Sequence, residues 1–156
     1  MTAIVEFDPV GVEAIKGALS TDALVLPSLD MLRAHLDTNP FEDCIVLGPS
    51  VDQQDVFELA ESLRVSRPSL GVVMVRRRID TAVLADALRA GVREVVQERD
   101  LAGLAIAVRR QREIASRLRE QVETGDGAVI AGSRGRVVTV FSAKGGCGKT
   151  TLATNL

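Results

Sequence analysis

Five short, largely apolar runs, at residues 3–7, 23–26, 44–47, 71–75 and 94–96, interrupted only by Glu6 and Glu94, constrain this chain more than any other feature. Each is followed by a segment whose apolar residues recur at spacings of three and four, at 10–19, 29–36, 52–64, 81–90 and 101–122. Alternation at every second residue would mark a sheet with one wet face, whereas a continuous run marks a strand covered on both faces. A spacing of three and four marks a helix that buries one stripe. Strict strand–helix alternation therefore predicts a parallel sheet whose right-handed crossovers lay helices on both sides, a doubly wound α/β domain of five strands and about 120 residues. The punctuation agrees. Ser28, Asp30 and the Asp80-Thr81 pair can cap helices, and Pro40, Pro68 and Gly91 fall where helices should stop.

At 156 residues, 46% hydrophobic and 26% charged, the chain has room for one well-cored domain and little more. A net charge of −2, from 19 basic and 21 acidic residues, gives no global attraction to nucleic acid, and no such partner is expected. Cys44 lies in an apolar run and Cys147 in a glycine loop; two such cysteines make neither a disulfide framework nor a metal spacing. They suit a reducing compartment, so a cytoplasmic protein is expected. No apolar run approaches the roughly 18–20 residues that span a bilayer. Residues 1–12 carry Glu6 and Asp8 in place of a signal-peptide pattern, so any membrane association would be peripheral, through partners.

The fifth helical segment is too long for its domain. At 1.5 Å per residue, 101–123 reaches roughly 35 Å, about twice what a small sheet covers. Its far half needs another partner or none: it is either a solvated connecting helix or a helix pairing with its copy, with polar Gln111 in the seam. The arginines of 109–119 are interleaved with glutamates and no aromatic, the pattern of a solvated face. The small, glycine-rich "TGDGAVIAGSRG" that follows reads as a linker, which divides the chain into a first domain at 1–123, a linker at 124–135 and a segment at 136–156.

That last segment, "VVTVFSAKGGCGKTTLATNL", carries a phosphate cradle. Gly145, Gly146 and Gly148, with Cys147 between them, let successive backbone N–H groups turn inward on phosphate oxygens, and the helix after them aims its positive end at the anion. Lys149 neutralises the β/γ-phosphates, Thr150 ligates Mg²⁺ through its hydroxyl, and Thr151 opens the helix. The early Lys144 makes "KGGCGKTT" resemble the deviant phosphate-binding loop of the partition and division-site ATPases of the ParA/MinD type. That resemblance covers residues 136–156 and implies ATP and Mg²⁺ as cofactors, with Lys144 reaching the partner's phosphates across an ATP-bound homodimer. It also implies acidic residues on later strands, all beyond Leu156. The chain is therefore expected to be a piece of a longer ATPase, with no complete catalytic set, no hydrolysis and no tight ATP binding of its own.

In the first domain, "VLADALRAGVREVV" resembles the fourth helix and fifth strand of response-regulator receiver domains, which implies a flavodoxin-like sheet. A working receiver needs acids after strand one for Mg²⁺, an aspartate closing strand three as phosphoacceptor, Thr or Ser closing strand four and Lys closing strand five. Here "VEFDPV" offers Asp8, with Glu6 expected to point elsewhere; "CIVLGPS" puts Gly48 at the acceptor position; Arg76 and Gln97 close strands four and five. No phosphoacceptor is expected. Asp52 and Asp55 fall at a helix start, where capping accounts for them. His35 has no second ligand beside it and reads as an ordinary surface or interface histidine, and the 76–78 arginine run reads as a solvated sheet edge.

A degenerate receiver ahead of a deviant-loop ATPase resembles the pilus-assembly localisation proteins of the CpaE/TadZ type and their septum-site relatives. The resemblance implies an interaction and localisation domain, a homodimer, partners in a pilus, secretion or division machine, and a place at the cell pole or septum. Two alternatives stand beside it: a phosphoryl-accepting response regulator and a DNA-partitioning ATPase.

Overall fold

The computed structural model describes residues 2–19 and 23–123, with side chains as far as Glu120. The chain alternates strand and helix throughout: β1 (Thr2–Val5), α1 (Pro9–Leu19), β2 (Ala23–Leu26), α2 (Leu29–Thr38), β3 (Cys44–Leu47), α3 (Gln53–Ser66), β4 (Gly71–Arg76), α4 (Thr81–Ala90), β5 (Glu94–Gln97) and α5 (Leu101–Glu123). All strands are parallel, in the order β2-β1-β3-β4-β5. The doubly wound, five-stranded parallel sheet expected from the apolar runs is thus present, in the flavodoxin-like form that the receiver resemblance implied.

Side-chain alternation along each strand divides the core between the two faces of the sheet. Ala3, Val5, Ile45, Leu47, Val72 and Met74 pack under α2, α3 and α4, while Ile4, Cys44, Val46, Val73, Val75 and Val96 pack under α1 and α5. Burial on both faces is why these strands read as largely apolar runs. Fully buried Ile4, Ile45, Leu47, Leu59 and Met74 each contribute roughly 1.5–3 kcal/mol by leaving water.

The helix ends are specified locally. Ser28 accepts from the Met31 amide at 3.2 Å, Asp52 from Gln54 at 2.8 Å and Asp80 from Val83 at 2.8 Å, each satisfying a donor that the helix cannot. Helix α4 ends at Gly91 with φ of 102°, a left-handed cap whose amide reaches back to Ala87 and Leu88.

Helix α5 departs from expectation. Leu104, Ala107, Val108, Gln111 and Ala115 form its buried stripe, and Arg119 still reaches the domain, 2.6 Å from Asp43 and donating to the Phe41 carbonyl at 3.0 Å. Gln111 belongs to this intramolecular stripe instead of a seam between helices. It lies over Gly71, where an added Cβ would come within 2.6 Å of its own, and donates to Glu94 at 2.9 Å. The helix runs past the amino-terminal edge of the sheet and uses loop residues there as its partner. The linker and the segment at 136–156 lie outside the described residues.

Candidate functional site

Strand order reverses between β1 and β3, so the carboxyl ends of these two strands frame the crevice where ligands of open parallel sheets gather. Val5 and Leu47 are register partners, which sets Glu6 beside Gly48 immediately beyond them. Glu6 is only 3% exposed. One carboxylate oxygen accepts from the Phe7 and Asp8 amides at 3.0 and 2.8 Å, and the other from the Ser50 amide at 3.2 Å. The Ser50 hydroxyl also accepts from the Phe7 amide, at 2.9 Å. Three N–H groups thus solvate the buried anion, the arrangement that makes such burial tolerable.

Gly48 makes room for it. A Cβ on residue 48 would stand 1.9 Å from Glu6 Oε2 and 2.9 Å from Glu6 Cβ. The carboxylate therefore fills the space into which an acceptor side chain at 48 would project. Expectation had Glu6 pointing elsewhere; the correction follows from β1 ending at Val5 and not at Phe7, so that the chain curls its next amides around the Glu6 side chain. A glutamate beside a glycine at adjacent strand ends is the sequence signal that could have revealed it.

Arg76, the last residue of β4, is 7% exposed. Its Nη1 donates to the carbonyls of Gly48 and Val51 at 3.2 and 3.0 Å, holding the β3–α3 connection from below. Burial pulls its pKa down from the usual value, and the negative charges of Asp52 and Glu6 oppose that pull. The arginine run at 76–78 is therefore not uniformly a solvated edge: Arg76 is internal, while Arg77 and Arg78 are exposed, Arg77 standing 3.6 Å from Glu98.

The remaining candidates do not converge. Asp8 is exposed and accepts from the Gly11 amide at 3.2 Å, Asp52 is held by the Gln54 and Asp55 amides at the start of α3, Asp55 is exposed in that first turn, and Gln97 is exposed at the end of β5. Among the described residues no three His, Cys, Asp or Glu side chains form a metal-binding group. The Mg²⁺ that a receiver fold implies does not fit these residues: Glu6 is engaged with amides on both oxygens, residue 48 offers no carboxylate, and Asp8 is turned to the Gly11 amide. The phosphate loop, with Lys144, Gly145, Gly146, Cys147, Gly148, Lys149, Thr150 and Thr151, lies outside the described residues.

Away from the crevice, His35 is not an ordinary surface residue. Its Nε2 lies 2.9 Å from a Glu42 carboxylate oxygen and its Nδ1 3.1 Å from Asn39 Nδ2. The same Asn39 nitrogen donates to the His35 carbonyl at 2.9 Å, which fixes the amide orientation, makes Nδ1 an acceptor and leaves Nε2–H to donate to Glu42. Cys44 is fully buried, as its apolar run implied, and burial, reinforced by Glu42 and Asp43, pushes its thiol up to about 12.

No family model and no curated protein matches the chain. Among solved structures it is similar to a pilus assembly-related protein from Burkholderia pseudomallei, at 18% identity and a TM-score of 0.61 over 72% of this chain and 89% of that one. A CheY-like protein, TadZ, from Pseudomonas aeruginosa matches at 22% identity and 0.59 over 70% and 97%. A CheY-like response regulator receiver domain from Methanospirillum hungatei matches at 16% and 0.62 over 74% and 95%. At these identities the likeness is one of fold, and the fold is that of a receiver.

Proposed function

We propose that residues 1–123 form a receiver-like interaction and localisation module that works without aspartyl phosphorylation, joined to the beginning of a ParA/MinD-like positioning ATPase. The observation that carries the first half is the Glu6 carboxylate seated where an acceptor side chain at residue 48 would lie, with Arg76 securing the adjoining loop. A receiver switches by adding charge at that point; here the charge is built in and bonded to main-chain amides. The second half is supported by the sequence "KGGCGKTT" alone; the pilus connection is supported by the receiver-like fold shared with a pilus assembly-related protein and with TadZ. On this reading ATP and Mg²⁺ belong to the longer protein, which dimerises on nucleotide and positions a pilus, secretion or division machine at a pole or septum.

The test of the first half is intact mass after incubation with acetyl phosphate and Mg²⁺. The proposal expects no phosphoryl adduct; an adduct mapped to Asp8, Asp52 or Asp55 would restore the response-regulator reading. In the longer protein, Lys149→Ala should abolish nucleotide binding by removing the main phosphate countercharge, whereas Lys144→Ala should retain binding and lose only ATP-dependent dimerisation. Equal loss of binding in both would remove the trans-acting role of Lys144.

A further inference from the structure

Between the end of α1 and the middle of α5 runs an open groove of about 720 Å³. Its apolar surface comes from Leu19, Ala105 and Val108, and one wall carries Arg109 and Arg112. Neither arginine has a hydrogen-bond or ion-pair partner among the described residues. This differs from Arg110 and Arg119 on the same helix, which lie 3.1 Å from Glu94 and 2.6 Å from Asp43. Arg112 is half-buried, and its charge is felt as far inside as Cys44. Among the described lining residues Arg109, Arg112 and Arg119 outnumber Asp43 and Glu113, and Asp43 is already held by Arg119, which leaves a positive excess over an apolar trough.

We infer that this groove docks an acidic amphipathic segment of a partner protein, its apolar residues on the Leu19–Val108 floor and its carboxylates on Arg109 and Arg112. The volume lies within the roughly 300–1,000 Å³ of ordinary ligand pockets, enough for a short stretch of chain. A helix laying one face into a groove is a recurring mode of peptide recognition. A second copy on this surface would show itself in the oligomeric state, which the sedimentation arm below reads. A lipid surface does not enter a concave groove. Nucleic acid would find no aromatic side chain in the groove to stack on. The inference rests on reading the domain as an interaction module. The phosphoryl-adduct measurement and the titration below use different observables, so either can fail without the other.

The experiment titrates the full chain into a fluorescein-labelled synthetic peptide with Leu at helical spacing and Glu elsewhere, beside a control with Lys replacing Glu. The acidic peptide should bind saturably, at least about ten-fold tighter than the basic one, and more weakly as salt rises. Arg109→Glu/Arg112→Glu should weaken it about ten-fold or more, while Arg117→Glu, an exposed residue that does not line the groove, should leave it within about two-fold. Arg112→Gln serves as the milder variant, with far-UV circular dichroism as the folding check. Equal binding of both peptides, equal loss in Arg117→Glu, or a mass doubling in sedimentation that Arg109→Glu/Arg112→Glu abolishes would each overturn the inference, the last by giving the groove to a second copy.

Discussion

At the carboxyl end of the sheet, Glu6 and Arg76 direct their hydrogen bonds to main chain: three amides for the carboxylate, three carbonyls for the guanidinium. At the amino end, His35 with Glu42 and Arg119 with Asp43 bring side chain to side chain, Arg119 adding one bond to the Phe41 carbonyl. A charge bonded to main chain dictates the shape of the loop around it, and its loss leaves amides or carbonyls that cannot turn away. A charge bonded to another side chain ties two elements together, and the survivor can often swing to water. The first arrangement holds a site in one conformation; the second is a clasp.

The largest effect should come from Glu6→Ala, which takes the acceptor from the Asp8 and Ser50 amides and empties a filled space, lowering stability by about 3 kcal/mol in denaturant unfolding. Arg76→Met should follow at about 2 kcal/mol, since it takes a donor from the Val51 carbonyl and leaves the Gly48 carbonyl only the Val51 amide, while keeping most of the packing volume. Arg119→Ala should cost only about 0.5 kcal/mol because that side chain is 37% exposed. A loss at Arg119 equal to that at Glu6 would erase the distinction between site and clasp. Smallest at neutral pH is the effect of the Cys44 thiol, which opens β3 beside Glu42 and Asp43. Its folded pKa is raised from an ordinary 9.0 to about 12, so the unfolded chain releases the proton first, and the stability it contributes is complete below pH 9 and declines as pH rises toward 12. Cys44→Ala should show less alkaline loss between those limits than the natural chain, measured by denaturant midpoint against pH.

Five strands and five helices were legible in order because each apolar run is buried on both faces and each helix buries one stripe. The boundaries that slipped did so for local reasons. The apolar run at 3–7 includes Phe7, yet the ladder ends at Val5, and helix α2 continues beyond Leu36 to Thr38, which bonds back to the Ala34 and His35 carbonyls at 3.2 and 3.0 Å. The empty acceptor position was legible at Gly48, and the capping roles of Asp52 and Asp80 were legible from their places before helices. What occupies the empty position was not, because whether Glu6 faces water or amides depends on a register between β1 and β3, strands forty residues apart. His35 was misread for the same reason: its partner Glu42 enters from the loop beyond α2.

The central claim, that Glu6 physically occupies the acceptor space and Gly48 exists to admit it, is tested most directly by a double-mutant cycle between Glu6→Ala and Gly48→Ala. In the natural background the new Cβ meets the carboxylate at 1.9 Å, so Gly48→Ala should cost about 2–3 kcal/mol. Gly91 is the only glycine with positive φ among the described residues, so alanine suits the backbone at 48. With Glu6 already removed, the same substitution should be neutral or stabilise by about 0.5 kcal/mol through a less flexible unfolded chain. A reversal of that kind is the predicted result. Costs for Gly48→Ala that agree to within about 0.5 kcal/mol in the two backgrounds would contradict the account.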